Sequence, residues 1–215
     1  MRNYIKILTF LFVFVGLCLI RTSAFVAIVD HSVYSLALQL SYSKTWLLIW
    51  YGVTQLGEWF FVYVVLAILS ILVLMQHRNR YGFGFVLLMI GLSISNVLFK
   101  VQFHLPRPVG LATFYEELST YSFPSGHAVN SILVFFLIPR LYQFIQQGQI
   151  AESQSIRERS TSFALMLFGA IMIGLSRIFL GVHWFSDVVA GMVWGAVFYQ
   201  IILEYLRMLT RRKNA

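Results

Sequence analysis

The sequence predicts an all-α fold: a polytopic membrane protein with six transmembrane helices and a short interfacial helix, organised as a single domain over residues 1–215. Of the 215 residues, 59% are hydrophobic and 11% are charged, whereas about 25% are charged in an ordinary soluble domain. The 14 glycines and four prolines form no low-complexity tract, which excludes a collagen-like or disordered chain. Since each helical span needs about 20 residues, this length accommodates about six spans with short loops.

The first apolar run, Ile5–Phe25, predicts the first span. The small residues Thr22–Ala24 would also suit cleavage of a signal peptide. We expect the run to be retained as an anchor, because it is long enough to cross the bilayer.

A more polar segment between Asp30 and Lys44 predicts the interfacial helix. Its apolar residues recur at the i, i+3, i+4, i+7 spacing of one helical face. Asp30 or Ser32 would cap the first turn of this helix. The apolar residues are Val33, Leu36, Ala37 and Leu40.

The second and third spans follow. The second begins at an aromatic cluster typical of a membrane interface and ends near Met75. The third is Gly82–Phe99, and Pro106 and Pro108 stop the helix soon after it. The aromatic cluster consists of Trp46, Trp50, Tyr51 and Trp59.

The last three spans end the chain. The fourth is Ala128–Phe144. The fifth begins at the capping-box spacing of Ser155 and Glu158 and ends near Phe179. The sixth is His183–Leu206.

Positive charge indicates the orientation in the membrane. The net charge of +8 is scattered along the chain and concentrated at the ends of apolar runs, which favours a topological role over binding to nucleic acid. The positive-inside rule then predicts a cell (inner) membrane protein with cytoplasmic N- and C-termini. The cytoplasmic cations are Arg2, Lys6, Arg78, Arg80, Arg140, Arg157, Arg159, Arg207, Arg211, Arg212 and Lys213, and those on the opposite side are Arg21, Lys44, Lys100, Arg107 and Arg177.

Three cations lie at the extracytoplasmic ends of spans: Lys100, Arg107 and Arg177. An ionisable residue in such a place is a functional hypothesis by default, because it is costly to keep at the edge of a bilayer. Three polar strings reach this same face of the membrane. They are Lys100-x6-Arg107-Pro108, Pro124-Ser125-Gly126-His127 and Ser176-Arg177-x3-Gly181-x-His183-x3-Asp187.

Together these strings resemble the three-part signature of the type 2 phosphatidic acid phosphatase (PAP2) superfamily, and every fixed position of that signature is filled. The resemblance implies a membrane enzyme that removes phosphate from a lipid, without a metal or other cofactor. It also assigns His183 as nucleophile and His127 as general acid and base.

The chemistry of these residues leads to the same roles. His183 and Asp187 are four residues apart and share one helix face, so the carboxylate can hold one imidazole nitrogen while the other attacks phosphorus. We expect Asp187 to raise the pKa of His183. The alternative is a polar pair that merely ties two helix ends together.

The phosphate would be bound by fixed donors, since phosphoryl transfer spreads negative charge over three oxygens. Lys100, Arg107 and Arg177 supply charge, while Ser125 and Gly126 supply donors at a helix N-terminus. Anchoring of lipid headgroups by the cations is the structural alternative.

His127 is interpreted as the acid that protonates the leaving oxygen and the base that activates water. We expect the neighbouring cations to lower its pKa. A zinc site formed by His127, His183 and Asp187 is a competing hypothesis, although three nearby cations would repel a metal ion.

Other residues carry weaker signals. His104 is interpreted as interfacial, Glu58 lines the pocket or reaches the interface, and Glu116 and Glu117 either gate the site or are solvated. The small-residue spacing of Gly191 and Gly195 favours close packing inside the bundle. The lone Cys18 excludes an intramolecular disulfide.

The sequence thus predicts a lipid phosphatase whose partners are a lipid phosphate and the bilayer, and it leaves the oligomeric state open. Undecaprenyl diphosphate is the first choice of substrate, because an outward-facing site suits recycling of a lipid carrier. Phosphatidylglycerol phosphate or a broad range of phosphatidates is the alternative. A non-catalytic protein that binds or transports lipid headgroups is the alternative of another class.

Overall fold

A computed structural model describes residues 2–41, 43–77, 80–108, 121–147 and 156–213. All regular structure in these ranges is helical, which confirms the all-α prediction. One five-residue π-helical segment, Leu133–Leu137, joins α6 to α7. The α-helices are α1 (Arg2–Ile20), α2 (Ala24–Leu40), α3 (Lys44–Gln55), α4 (Trp59–His77), α5 (Arg80–Phe103), α6 (Gly126–Ile132), α7 (Ile138–Gln147), α8 (Ile156–Phe179) and α9 (Phe185–Lys213).

The described residues contain five helical stretches long and apolar enough to cross a membrane. A sixth is obtained if α1 and α2, which are bent by 92° at the break between them, count as one span. The polytopic membrane architecture is therefore confirmed. The five stretches are Lys44–Val73, Phe83–Phe103, Gly126–Gln147, Ser160–Phe179 and Phe185–Met208.

The bend between α1 and α2 corrects one local prediction. Neither Asp30 nor Ser32 caps α2; its N-cap is Ser23, whose hydroxyl accepts a hydrogen bond from the amide of Val26 at 3.3 Å. Ser23 is a suitable cap residue directly before an apolar stretch, so the helix begins there, a full turn and more ahead of Asp30. Asp30 is instead buried inside the protein.

Helix α1 is part of the core of the bundle. Phe14 is buried, and its ring centroid lies 4.5 Å from that of Trp194 on α9 and 5.0 Å from that of Phe99 on α5. The first apolar run therefore packs against two of the helices that carry predicted site residues.

The second predicted span is broken into α3 and α4 around Gly57. A side chain at Gly57 would come within 2.7 Å of Ile173, so glycine allows α8 to approach the break. Trp50 was predicted at the membrane interface but is buried, with its ring stacked 4.6 Å from Phe179. Trp59 is exposed, as an interfacial residue would be.

Helix α9 packs against α6 through two glycines, as their spacing predicts. A Cβ atom at Gly191 would collide with the carbonyl oxygen of Ser125 and lie 2.9 Å from the Cβ of Ala128. A Cβ atom at Gly195 would lie 2.9 Å from the carbonyl oxygen of Val129. This contact brings the start of α6 and the start of α9 together.

We predict that Gly191→Ala lowers both thermal stability and phosphatase activity, because the added methyl group must push α6 away from α9. Overpacking of this kind costs about 1–3 kcal/mol. Thermal unfolding of the detergent-purified variant measures the effect. Gly91→Ala is the matched control, since nothing lies within 4 Å of a Cβ at that position and alanine favours a helix. Equal melting temperatures for the two variants would contradict the prediction.

Candidate active site

The three sequence strings converge around one cavity of about 810 Å³. It lies between the start of α4 and α6, the C-terminal ends of α5 and α8, and the loop that precedes α9. Six of the eight predicted site residues line it: Lys100, Arg107, Gly126, His127, Arg177 and His183. Ser125 and Asp187 are fully buried beside them.

The loop between α8 and α9 positions His183. Gly181 has a φ of 67°, a left-handed conformation that glycine adopts without strain after a helix end. The loop then folds back on α8, with the amides of Val182 and His183 both donating to the carbonyl oxygen of Arg177, at 3.1 and 3.3 Å. His183 is consequently held against the helix that carries Arg177.

His183 and Asp187 form the expected pair across one turn. The Nδ1 atom of His183 lies 3.4 Å from Oδ2 of Asp187, and the same oxygen accepts a 2.9 Å hydrogen bond from the amide of Trp184. Asp187 is wholly buried, and His183 is 3% exposed. The imidazole can therefore turn little.

Arg107 fixes the tautomer of His183. One guanidinium nitrogen, NH1, lies 3.0 Å from Nε2 of His183 and 2.7 Å from the carbonyl oxygen of Val182. Arginine has only donors, so Nε2 must be the acceptor and the ring proton must be on Nδ1, facing Asp187. The nitrogen that carries the lone pair is thus the one that faces the cations.

The pKa of His183 lies well below its ordinary value of 6.5, which corrects the expectation that Asp187 raises it. Burial is the main cause, followed by the positive charges of Arg107, Lys100 and Arg177. Burial and the charge of Arg177 also lower the pKa of Arg107, to about 10. At neutral pH, His183 is therefore neutral while Arg107 is charged.

Lys100 and Arg177 are held by different parts of the fold. Lys100 donates to the carbonyl oxygen of Tyr121 at 2.7 Å. Arg177, 2% exposed, donates to the hydroxyl of Thr54 on α3 at 2.8 Å. Contacts with separate elements thus fix both positive charges beside the cavity.

Ser125 and Gly126 begin α6 next to Asp187. The amide of Ser125 donates to the carbonyl oxygen of Asp187 at 3.0 Å. Its buried hydroxyl has no hydrogen-bond partner among the described residues and does not cap α6. A Cβ at Gly126 would lie 3.3 Å from Nδ2 of Asn96, so glycine keeps this wall of the cavity open.

His127 pairs with Glu58, one of the two roles considered for that carboxylate. Nε2 of His127 lies 3.2 Å from Oε2 of Glu58, and both residues line the cavity. His104 is exposed, as expected of an interfacial residue, and its ring lies 4.4 Å from that of Tyr121. Glu116 and Glu117 lie outside the described residues.

Comparison with known proteins identifies the family. A model of the PAP2 superfamily matches residues 81–211, which is more than half of the chain. The chain belongs to the PAP2 superfamily. It is a membrane lipid phosphatase, as the three strings predict.

Individual PAP2 relatives cover most of the chain. Phosphatidylglycerophosphatase B of Bacillus subtilis strain 168 is 25% identical over 165 residues, 74% of this chain and 75% of the relative. The crystal structure of a transmembrane PAP2-type phosphatidylglycerolphosphate phosphatase from Bacillus subtilis superposes with a TM-score of 0.72 at 22% identity, covering 97% of this chain and 96% of that one. LpxE of Aquifex aeolicus gives a TM-score of 0.53 at 20% identity, covering 81% and 94%.

Sequence reasoning missed two residues that contact the site. Arg21 was counted only as an outer charge and Asp30 only as a helix cap, yet both are buried against the start of α9. The signal was available, because both are ionisable residues beside a predicted span.

Among the described residues, no three His, Cys, Asp or Glu side chains come together as metal ligands would.

We predict that the acid limb of the kcat/KM profile lies below pH 6.5, because His183, the predicted nucleophile, must lose its proton to attack and its pKa is lowered. Removing a nearby positive charge raises that pKa, so Arg107→Gln should move the acid limb to higher pH. The same change should lower kcat/KM by about 10²–10³, as for loss of one charge-stabilising donor.

Arg140→Gln is the control for this pH profile, since Arg140 bonds to Gln143 on α7 away from the cavity. Its acid limb should match that of the wild type. An acid limb that stays in place in Arg107→Gln would contradict the electrostatic account.

Proposed function

We propose that this PAP2 phosphatase removes the terminal phosphate of phosphatidylglycerol phosphate at the extracytoplasmic face, through a phosphohistidine formed on His183. The observation that carries the proposal is the orientation of His183. Its Nε2 lone pair faces Arg107 in a cavity that Lys100 and Arg177 also line.

Attack begins when the phosphate enters the cavity and the guanidinium of Arg107 turns from Nε2 to a phosphoryl oxygen. Nε2 then forms a bond to phosphorus while the bond from phosphorus to the lipid oxygen breaks. The imidazole becomes positively charged in this step. Asp187, which already accepts the Nδ1 proton of His183, stabilises that charge.

The three cations bind the phosphoryl oxygens. Charge-assisted bonds from arginine are geometrically matched to phosphate, and lysine acts as a point charge. Where the donor is shielded from water, as Arg177 is, these interactions are stronger than in water. The hydroxyl of Ser125 and the amide of Gly126 are the neutral donors that we assign to the same oxygens.

His127 transfers the protons. As an acid it protonates the departing lipid oxygen, and as a base it then takes a proton from the water that attacks the phosphohistidine. This second step releases phosphate and restores neutral His183. We assign Glu58 to orienting His127, because its carboxylate accepts a hydrogen bond from the ring at 3.2 Å.

Two observations favour phosphatidylglycerol phosphate over the first choice, undecaprenyl diphosphate. The curated relative, 25% identical, is a phosphatidylglycerophosphatase. The cavity wall also carries polar groups: Tyr63 and Ser93 share a 2.8 Å hydrogen bond, and Oδ1 of Asn96 has no partner among the described residues. A glycerol linker has a hydroxyl to offer these groups, whereas an isoprenyl chain has none.

The extracytoplasmic placement is supported by the distribution of lysine and arginine, which favours cytoplasmic termini under the positive-inside rule. The site lies at the opposite ends of the helices, beside the start of α6 and α9.

Three cations beside the cavity already supply the positive charge that a metal would bring.

Alanine substitution of the two histidines should block different steps of the reaction. His183→Ala should form no covalent phosphoenzyme, since the attacking nitrogen is gone. His127→Ala should still form it from a substrate with a good leaving group but hydrolyse it slowly, because the base for water is missing. Rapid-quench labelling with ³²P measures both steps. His104→Ala, an exposed histidine, is the matched control and should behave as the wild type. Wild-type clearance of phosphate from His183 in His127→Ala would contradict the assignment.

Competition between lipids tests the substrate. With EDTA present, purified protein should release phosphate from phosphatidylglycerol phosphate with a higher kcat/KM than from undecaprenyl diphosphate. Asn96→Leu should reduce this preference by about tenfold, the worth of one hydrogen bond. A preference for undecaprenyl diphosphate would overturn the choice of lipid. No phosphate release from any lipid would favour a headgroup-binding protein, and activity lost to EDTA and restored by zinc would favour the metal hypothesis.

A further inference from the structure

We propose that Arg21 and Asp30 are positioning residues for catalysis: they hold Asp187, and through it the nucleophile His183, from helices that lie outside the region shared with the family model. The family match begins at residue 81. Arg21 follows α1 and Asp30 lies on α2. This inference rests on the proposed role of His183 and adds the residues that support it.

Arg21 connects two buried carboxylates. Its NH2 atom donates to Oδ1 of Asp187 at 3.3 Å, and its NH1 atom lies 3.3 Å from Oδ2 of Asp30. The side chains of Arg21, Asp30 and Asp187 are 9%, 3% and 0% exposed. Ion pairs so well shielded from water are screened far less than pairs on a protein surface.

The contacts of Asp187 are divided between its two oxygens. Oδ1 accepts from Arg21, while Oδ2 accepts from the amide of Trp184 at 2.9 Å and faces Nδ1 of His183 at 3.4 Å. Arg21 therefore fixes the rotation of the carboxylate that holds the imidazole. It also supplies the countercharge without which a fully buried carboxylate is strongly disfavoured.

Asp30 attaches α2 to the first turn of α9. Its Oδ1 accepts from the amide of Ser186 at 2.8 Å and its Oδ2 accepts from the hydroxyl of Ser186 at 2.7 Å. The first amides of a helix have no partner within the helix and favour a negative charge nearby. Asp30 thus holds the residue next to Asp187 and orients Arg21 at the same time.

The charge of this cluster reaches the nucleophile. On the cavity side, the groups that act on His183 are Arg107, Lys100, Arg177 and His127. Behind it are Asp187, then Arg21 and Asp30. Loss of Arg21 leaves Asp187 less neutralised, which raises the pKa of His183, whereas loss of the negative charge on Asp30 lowers it.

The pKa of His183 should shift in opposite directions when Arg21 and Asp30 lose their charges, and this distinguishes a positioning role from a structural one. Arg21→Met keeps the length of the side chain and removes its charge. Asp30→Asn keeps an oxygen for the amide of Ser186 and also removes a charge. A structural defect would lower activity in both variants without moving the pH profile in opposite directions.

The experiment compares kcat, KM and the pH profile for four variants with phosphatidylglycerol phosphate as substrate. Arg21→Met should lower kcat roughly 10- to 100-fold, as for groups that orient a catalytic ligand, and move the acid limb to higher pH. Asp30→Asn should move the limb to lower pH. KM should change little in either, because neither residue lines the cavity. Arg21→Lys, which keeps the charge, should restore the limb.

Arg207→Met is the matched control, since Arg207 pairs with Glu204 at 3.5 Å near the far end of α9. Its profile should be that of the wild type. An acid limb that does not move, or that moves in the same direction in Arg21→Met and Asp30→Asn, would overturn the inference. If Arg21→Met does not fold, the conservative variants Arg21→Lys and Asp30→Asn still test it. Wild-type labelling on His183 is measured in parallel. Absence of labelling on His183 would contradict the proposed function. Labelling together with unmoved acid limbs would contradict only the role of Arg21 and Asp30.

Discussion

Repulsion between positive charges around one neutral imidazole is the constraint on which this site depends. Burial and the charge of Arg177 lower the pKa of Arg107 to about 10, and both arginines help to keep His183 unprotonated. Such a cavity is costly while it holds no anion, because like charges in a poorly solvated space repel strongly. A phosphate dianion relieves this repulsion. In the mechanism we propose, phosphate binding and the reactivity of His183 therefore have the same electrostatic origin.

The fold sustains this arrangement by anchoring Lys100 and Arg177 on different parts of the chain. Lys100 is held by the backbone at Tyr121, and Arg177 by Thr54 on α3. On the side of His183 away from the cavity, the negative charge is that of Asp187, which is held by Arg21. Rigid contacts of this kind keep the donors in place before the reaction, which is the condition for electrostatic catalysis. We infer that the N-terminal helices support the active site as well as contributing to the membrane anchor.

The motif residues are predictable from the sequence because each is an ionisable or hydrogen-bonding group at the end of an apolar run, where lipid makes it costly. Helix number follows from the same hydropathy. The pairing of Arg21 with Asp187 is not predictable in this way, since 166 residues separate the two. The break at Gly57 and the lowered pKa of His183 also depend on tertiary contacts, with Ile173 in one case and with burial in the other.

A structure of the vanadate complex tests the central claim most directly, because vanadate adopts the trigonal-bipyramidal geometry of the phosphoryl-transfer transition state. The account predicts a bond from vanadium to Nε2 of His183. It also predicts equatorial oxygens within about 3 Å of the donors on Lys100, Arg107 and Arg177. Vanadate bound to another side chain, or held away from the three cations, would contradict the account.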